Sequence, residues 1–249
     1  MKLQSPMSLA LIMTLLLPVS ATLRAQDWHT GLSQASVDAT VSFPVGGIIA
    51  KILKKENEPV KEGEIILELE NELETLEVAR QKLAVEAARK EFERTKKVFD
   101  KGGSVSQEDV EQKEAVWKIA QVEEQQAGAQ LRRRSLPAPT DGIVVDLFDF
   151  DRGEAVTPNA PVARVLDMAQ CRFTAHVRGD SPHGMEKGKA VELRFRTSRE
   201  EITVEGTVEF VSLAIDAASG LQEVRAVFDN KDNRVPAGLL GKMRLKAAP

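Results

Sequence analysis

Tyrosine is absent from this 249-residue chain, and aromatic residues together make up only 4% of it. Large ligand pockets are usually walled by apolar and aromatic side chains, so the composition argues against a protein built around one. The single cysteine, Cys171, cannot close a disulfide within the chain. The three histidines, His29, His176 and His183, are scattered and form no metal motif, since a metal site needs several convergent ligands. The histidines are expected in plain surface or core roles, and Cys171 as a buried, inert thiol. Positive charge is not in excess. The net charge is −4, which gives a nucleic-acid partner no electrostatic support. No apolar run reaches the roughly 20 residues that a membrane-spanning helix needs.

What is present begins at the N-terminus. Lys2 supplies a short basic region, Met7 to Val19 an apolar core, and small residues follow. Ala21 and Ala25 each end a triplet suited to cleavage. This is the pattern of a secretory signal peptide over residues 1–25. No cysteine follows the apolar core, so a lipid anchor is not expected. The mature protein should be soluble and outside the cytoplasm.

Two segments of the mature chain repeat each other. Pro44 to Leu53, continuing through Val60 and Gly63 to Leu69, matches Pro139 to Leu147, continuing through Gly153 and Val156 to Val165. Gly47 aligns with Gly142, Ile48 and Ile49 with Ile143 and Val144, and Asn57 with Gly153. Apolar residues alternate in both copies (Ile48, Ala50, Ile52; Ile143, Val145, Leu147), as in half-buried strands. Gly47 and Gly142 sit where the chain turns into a strand. A positive φ at Gly142 would make glycine obligatory there. Asn57 and Gly153 occupy a turn that tolerates positive φ. Neither copy can bury a core alone, so the two are expected to form one small β-sandwich.

Between the copies the period changes. Residues from about Leu69 to Lys101 lack glycine and proline and are rich in good helix formers. Leu69, Leu73, Leu76, Leu83 and Ala87 make one apolar stripe, and Val85, Ala88, Phe92 and Phe99 a drifting second. Gly102 and Gly103 end the helix. Ser106 then caps a second one, with Glu108 and Asp109 in its first turn. Val110, Trp117, Ala120, Ala127 and Leu131 form its stripe, and Arg132 to Arg134 close it before Pro137. So short a loop folds the helices back antiparallel. Arms of roughly 30 residues project about 45 Å at 1.5 Å per residue. The many glutamates read as a solvated face and not as catalytic groups.

From about residue 169 to 249 the pattern is all-β. Strands are expected over Arg172–Val177, Ala190–Phe195, Thr203–Leu213, Val224–Phe228 and Leu239–Leu245, with a helical turn opened by Ser181 and Pro182. Such a set suggests a small β-barrel. The predicted fold is thus mainly β with an inserted α-helical hairpin. The units are a lipoyl-like sandwich (37–69 and 135–168), an antiparallel coiled-coil hairpin splitting it (70–134), and a barrel (169–249).

This ordered set resembles the membrane fusion proteins, the periplasmic adaptors of tripartite efflux pumps. Phe43 to Ala50 with Val60 to Glu64 looks like the first half of that family's lipoyl-like domain, and Ala138 to Val144 like the second. Gly188 to Leu193, Glu205 to Val208, Ile215 to Leu221 and Pro236 to Leu240 are similar to its barrel motifs. The resemblance covers nearly the whole mature chain. It implies a homo-oligomeric scaffold joining an inner-membrane transporter to an outer-membrane duct, with no cofactor, no nucleic acid and no active site. A transporter of the resistance-nodulation-division type is implied first, an ATP-driven exporter second. It also implies a docking role at the hairpin tip for Arg94, Val98, Val105 and Ser106, although Gly102 to Ser104 add one residue to the family's spacing. Many members carry a further membrane-proximal domain for which this chain offers no evident segment. A free-standing periplasmic scaffold or binding protein is therefore the competing expectation. A biotinyl or lipoyl carrier is not expected. The acceptor-lysine position falls at Leu73 in one copy, and the other offers Asp167, Met168 and Ala169, also without lysine.

Overall fold

The computed structural model describes residues 28–148, 150–179, 185–198 and 200–246. The expected signal peptide, the turn at Ser181 and Pro182, and His183 lie outside them. The described chain is mostly β with two helices. Its strands are β1 (His29–Ser42), β2 (Gly47–Ile52), β3 (Pro59–Val60) and β4 (Ile65–Leu69), followed by the helices α1 (Glu72–Asp100) and α2 (Gln107–Arg132). Then come β5 (Ser135–Pro137), β6 (Gly142–Asp146), β7 (Ala155–Val156), β8 (Pro161–Arg178), β9 (Ala190–Arg196), β10 (Glu201–Ile215), β11 (Leu221–Asp229) and β12 (Leu240–Leu245). Among the described residues no helix is long and apolar enough to cross a membrane.

The two repeat copies trade strands. β3 of the first pairs with β6 of the second, and β7 of the second with β2 of the first. The exchange is reciprocal down to single bonds. The Asn57 amide donates to the Val144 carbonyl at 2.7 Å, and the Gly153 amide to the Ile49 carbonyl at 2.8 Å. The Val144 amide donates to Glu58 at 3.1 Å, and the Ile49 amide to Glu154 at 2.8 Å. Each copy's backbone is satisfied by the other, so neither half is a folding unit. Phe43, Ile49, Ile66, Leu67, Leu69, Val144, Val162 and Val165 make their shared core.

The turn positions serve different ends. Asn57 has φ 63° and Gly153 φ 93°, both left-handed. Gly142 is not among the residues with positive φ. Space dictates glycine there, because a Cβ would lie 2.3 Å from the Leu166 carbonyl oxygen. At Gly47 a Cβ would meet the Arg134 guanidinium at 2.9 Å.

β1, β12, β9, β10, β11 and β8 follow one another in hydrogen-bonded order, and a further β1–β8 pairing closes them into a ring. Cys171, Phe173, Leu193, Phe195, Val224, Phe228 and Met243 fill it. Phe173 meets Phe195 edge-on at 5.5 Å. Buried Asn230 ties the ring's closing loop. Its Nδ2 donates to the Met168 and Val235 carbonyls at 3.2 and 2.9 Å, and its Oδ1 accepts from the Val235 amide at 3.0 Å. Cys171 is fully buried, and burial pushes its thiol pKa up.

Two boundaries differ from the sequence reading. Residues 29–36, assigned there to no unit, belong to β1, which pairs with both β12 and β8. The boundary at 168/169 falls inside β8, which pairs with β6 through Leu166 and with β11 through Arg178. One continuous strand serves both β units, so no linker marks the passage.

The helical seam also differs. Leu73, Leu76 and Leu83 were expected to face the partner helix but are 78%, 60% and 68% exposed. The covered face of α1 runs through Glu74, Val78 and Gln81 to Val85, Ala88 and Phe92 of the second expected stripe, spaced alternately three and four apart. Phe92 stacks on Trp117 with ring centroids 5.5 Å apart, and Ala120 and Ala127 are the buried residues of α2. A seam needs that spacing and shape fit more than the largest side chains.

Candidate docking surfaces

The hairpin has a root, two flanks and a tip. At the root, the β4–β5 pairing holds the two helix ends together, with Leu67 opposite Leu136. Arg134 fastens this junction. Its Nε and Nη2 donate to Glu74 Oε1 at 2.9 and 2.6 Å, and its Nη1 to the Gly46 carbonyl at 3.0 Å. The Arg134 carbonyl accepts from the Leu69 amide at 2.8 Å. One side chain thus joins the first turn of α1, the end of α2 and the loop between β1 and β2. The Arg134 and Glu74 side chains are 26% and 18% exposed, so the pair is shielded more than a surface bridge. Sequence reasoning took Arg134 only as a helix-ending base.

The flanks expose apolar rows. Beside Leu73, Leu76 and Leu83 on α1, α2 exposes Val116, Ile119 and Val122, at 50%, 58% and 62%. The α2 residues were missed in the sequence. Their three-residue spacing, out of phase with Trp117 and Ala120, was the available signal. Exposed apolar rows of this kind mark surfaces that meet a partner.

At the tip, the Gly102 amide donates to Phe99 at 2.9 Å and the Gly103 amide to Val98 at 3.0 Å. The Val105 amide donates to the Gly103 carbonyl at 2.9 Å. Val98, Val105 and Ser106 are thereby gathered at one end of the hairpin. Ser106 forms a capping box: its Oγ accepts from the Asp109 amide at 3.1 Å, and Asp109 Oδ2 accepts from the Ser106 amide at 3.0 Å. The Ser106 hydroxyl and amide hold the Asp109 carboxyl below the usual aspartate range. Arg94 lies one turn below Val98. Its side chain is 73% exposed and its Nη2 donates to Glu91. The guanidinium has five donors, so most of them still face solvent. Val98 is 41% exposed and Val105 half-buried.

No cluster of three or more potential metal ligands exists among the described residues. Leu73, at the carrier-lysine position, sits in α1 and not in a β-turn.

No family model matches the chain. It is 27% identical over 233 residues to a multidrug/solvent efflux pump periplasmic linker protein, MepA, of Pseudomonas putida, covering 87% of this chain and 60% of that protein. It is 22% identical over 237 residues to an uncharacterized protein of Haemophilus influenzae, covering 92% and 61%. The chain therefore spans only about three-fifths of these relatives' length. Among solved structures, a MacA–MexA chimeric protein containing the Pseudomonas aeruginosa MexA α-hairpin domain matches with TM-score 0.74 at 18% identity, covering 90% of this chain and 79% of that one. The membrane fusion protein Spr0693 of Streptococcus pneumoniae matches with TM-score 0.66 at 13% identity, covering 90% and 100%.

Proposed function

We propose that this chain, which has the fold of the membrane fusion or periplasmic adaptor proteins, is the adaptor of a tripartite efflux pump. It links an inner-membrane transporter, of the resistance-nodulation-division type, to an outer-membrane duct. It acts in the periplasm, reached through the signal peptide at residues 1–25. Its work is binding and geometry, and no bond is made or broken.

The observation that carries this reading is the hairpin itself. Its 29- and 26-residue helices extend about 40 Å at 1.5 Å per residue. They leave a lipoyl-like sandwich and return to it at Arg134, and a β-barrel follows, made by the closed ring. A long lever fixed at one end suits bridging. The apolar rows on the flanks favour copies packed side by side, each covering its neighbour's leucines. The tip, with Arg94, Val98, Val105 and Ser106, is the end that docks on the duct. The names of the relatives, periplasmic linkers of efflux pumps, support the same role.

Site-specific crosslinking tests it. Cys171 is fully buried, so cysteines placed at Val98 or Val105 are the reactive thiols. Under the proposal they capture an outer-membrane protein in cells, while a cysteine at Glu186 on the barrel does not. Capture of no membrane protein from either tip position would reject the docking role.

A further inference from the structure

The outward face of the ring where β1, β12, β9 and β10 lie side by side has a feature that folding does not require. Three outward rungs cross it in register. Trp28 leads into β1 beside the rung of Arg244, Glu192 and Glu205. Thr30, Lys242, Arg194 and Thr203 form the next, and Leu32, Leu240, Arg196 and Glu201 the third. Two bases, Lys242 and Arg194, are direct cross-strand partners, and like charges placed opposite each other destabilise a sheet.

The face divides into a neutralised floor and an unneutralised rim. In the floor, the Arg194 and Arg244 guanidiniums lie 4.5 Å from the Trp28 ring, and Glu192 pairs with both at 2.8 and 2.5 Å. At the rim, Lys242 and Arg196 are exposed. Among the described residues neither makes an ion pair or a side-chain hydrogen bond, although Glu201 stands in register with Arg196. A shallow cavity of about 330 Å³ lies among Trp28, Arg194, Arg196, Leu240 and Lys242, with Glu201 the one acid in its lining. Leu240 and Leu32 are 64% and 43% exposed beside it.

We infer that this face is an anionic-lipid contact, on which the ring rests against a phospholipid surface. The combination is that of an interfacial anchor. An indole and exposed leucines suit the boundary between headgroups and acyl chains, and free bases meet lipid phosphates. The chain carries a net charge of −4, so attraction must be local to these bases and confined to about a Debye length. The inference is independent of the adaptor reading. It would stand if the pump partners were different.

The test is flotation of the protein with vesicles of phosphatidylcholine alone or mixed with phosphatidylglycerol, with the fluorescence of Trp28 as a second readout in a Trp117→Phe background. The protein should float with the mixed vesicles only, with a blue shift, and added salt should release it. Lys242→Gln combined with Arg196→Gln should weaken binding on the order of 30-fold, at about fivefold per base near a lipid surface. Both side chains are exposed, so circular dichroism should be unchanged. Three results would each overturn the inference. The double variant could bind as well as the parent. Inorganic phosphate could displace the protein where chloride of equal ionic strength does not, making the site a small-anion pocket. The protein could ignore vesicles yet bind a polyglutamate peptide, making the face a protein contact.

Discussion

Replacing Arg134 by alanine should do more damage than any other single change in the hairpin. The substitution removes two donors from Glu74 and one from the Gly46 carbonyl, and leaves the half-covered Glu74 carboxylate without its cation. Hydrogen bonds to charged groups contribute about 1.5–3 kcal/mol. Breaking a fully buried pair costs about 3–5 kcal/mol. The 18% and 26% exposures put this pair below that upper range, and we expect a loss of about 3 kcal/mol. For a chain of this size each kcal/mol shifts Tm by about 2–4 °C, so the transition should fall by about 6–12 °C in circular dichroism. Arg134→Lys keeps the charge but cannot form the fork, and should recover less than half of the loss. In a double-mutant cycle with Glu74→Gln the coupling should be about 1–2 kcal/mol. Distances between spin labels at Lys97 and Lys231 should broaden in Arg134→Ala, because the root would no longer hold the hairpin at one angle. A loss below about 0.5 kcal/mol, the scale of an ordinary surface change, or a coupling near zero, would refute the view that Arg134 fastens the root.

Ser106→Ala should destabilise the protein by about 1 kcal/mol through loss of the cap, read by chemical denaturation. Because Asp109 has a depressed pKa in the fold, its part of the cap is complete above the usual aspartate range and disappears as pH falls through the lower folded value; the gap between the parent and Ser106→Ala should therefore narrow in acid to what the Ser106 hydroxyl contributes by accepting from the Asp109 amide. Gly142→Ala should yield insoluble or strongly destabilised protein, since the Cβ would lie 2.3 Å from a carbonyl oxygen, whereas Gly153→Ala, with open space but φ 93°, should fold and lose about 1–2 kcal/mol. Asn230→Ala should cost about 3 kcal/mol, measured by thermal unfolding, because it removes the side-chain partner of both the buried Val235 amide and the Val235 carbonyl and one of two donors to the Met168 carbonyl.

The parts of this fold written in local pattern were open to reading. Helices free of glycine and proline, the Ser106 cap, and alternating strands all follow from neighbours in sequence. The repeat was legible because its matched residues, Asn57 with Gly153 and Ile49 with Val144, are held in place by the same bonds to each other. What long-range geometry decides was hidden. β1 has little apolar alternation where it closes the ring, and its partners lie more than a hundred residues away. Gly142 was taken for a conformational glycine, and its real constraint comes from Leu166 on another strand. Val85, Ala88 and Phe92 were legible as a stripe, but the large leucines of α1 drew attention from Gln81, a polar residue that is buried on the same face. The hairpin tip could be named from sequence, but the Arg134 root could not, since nothing local distinguishes that arginine from its two predecessors.

Under the proposed function, this chain joins two membrane proteins. The most direct measurement is affinity capture of the tagged, full-length protein from gently solubilised envelopes, with every copurifying protein identified. The adaptor account predicts an inner-membrane transporter together with an outer-membrane duct, and loss of the duct alone when Arg94 and Val98 are both replaced by alanine. Recovery of the protein by itself, monomeric and without either membrane partner, would contradict the account.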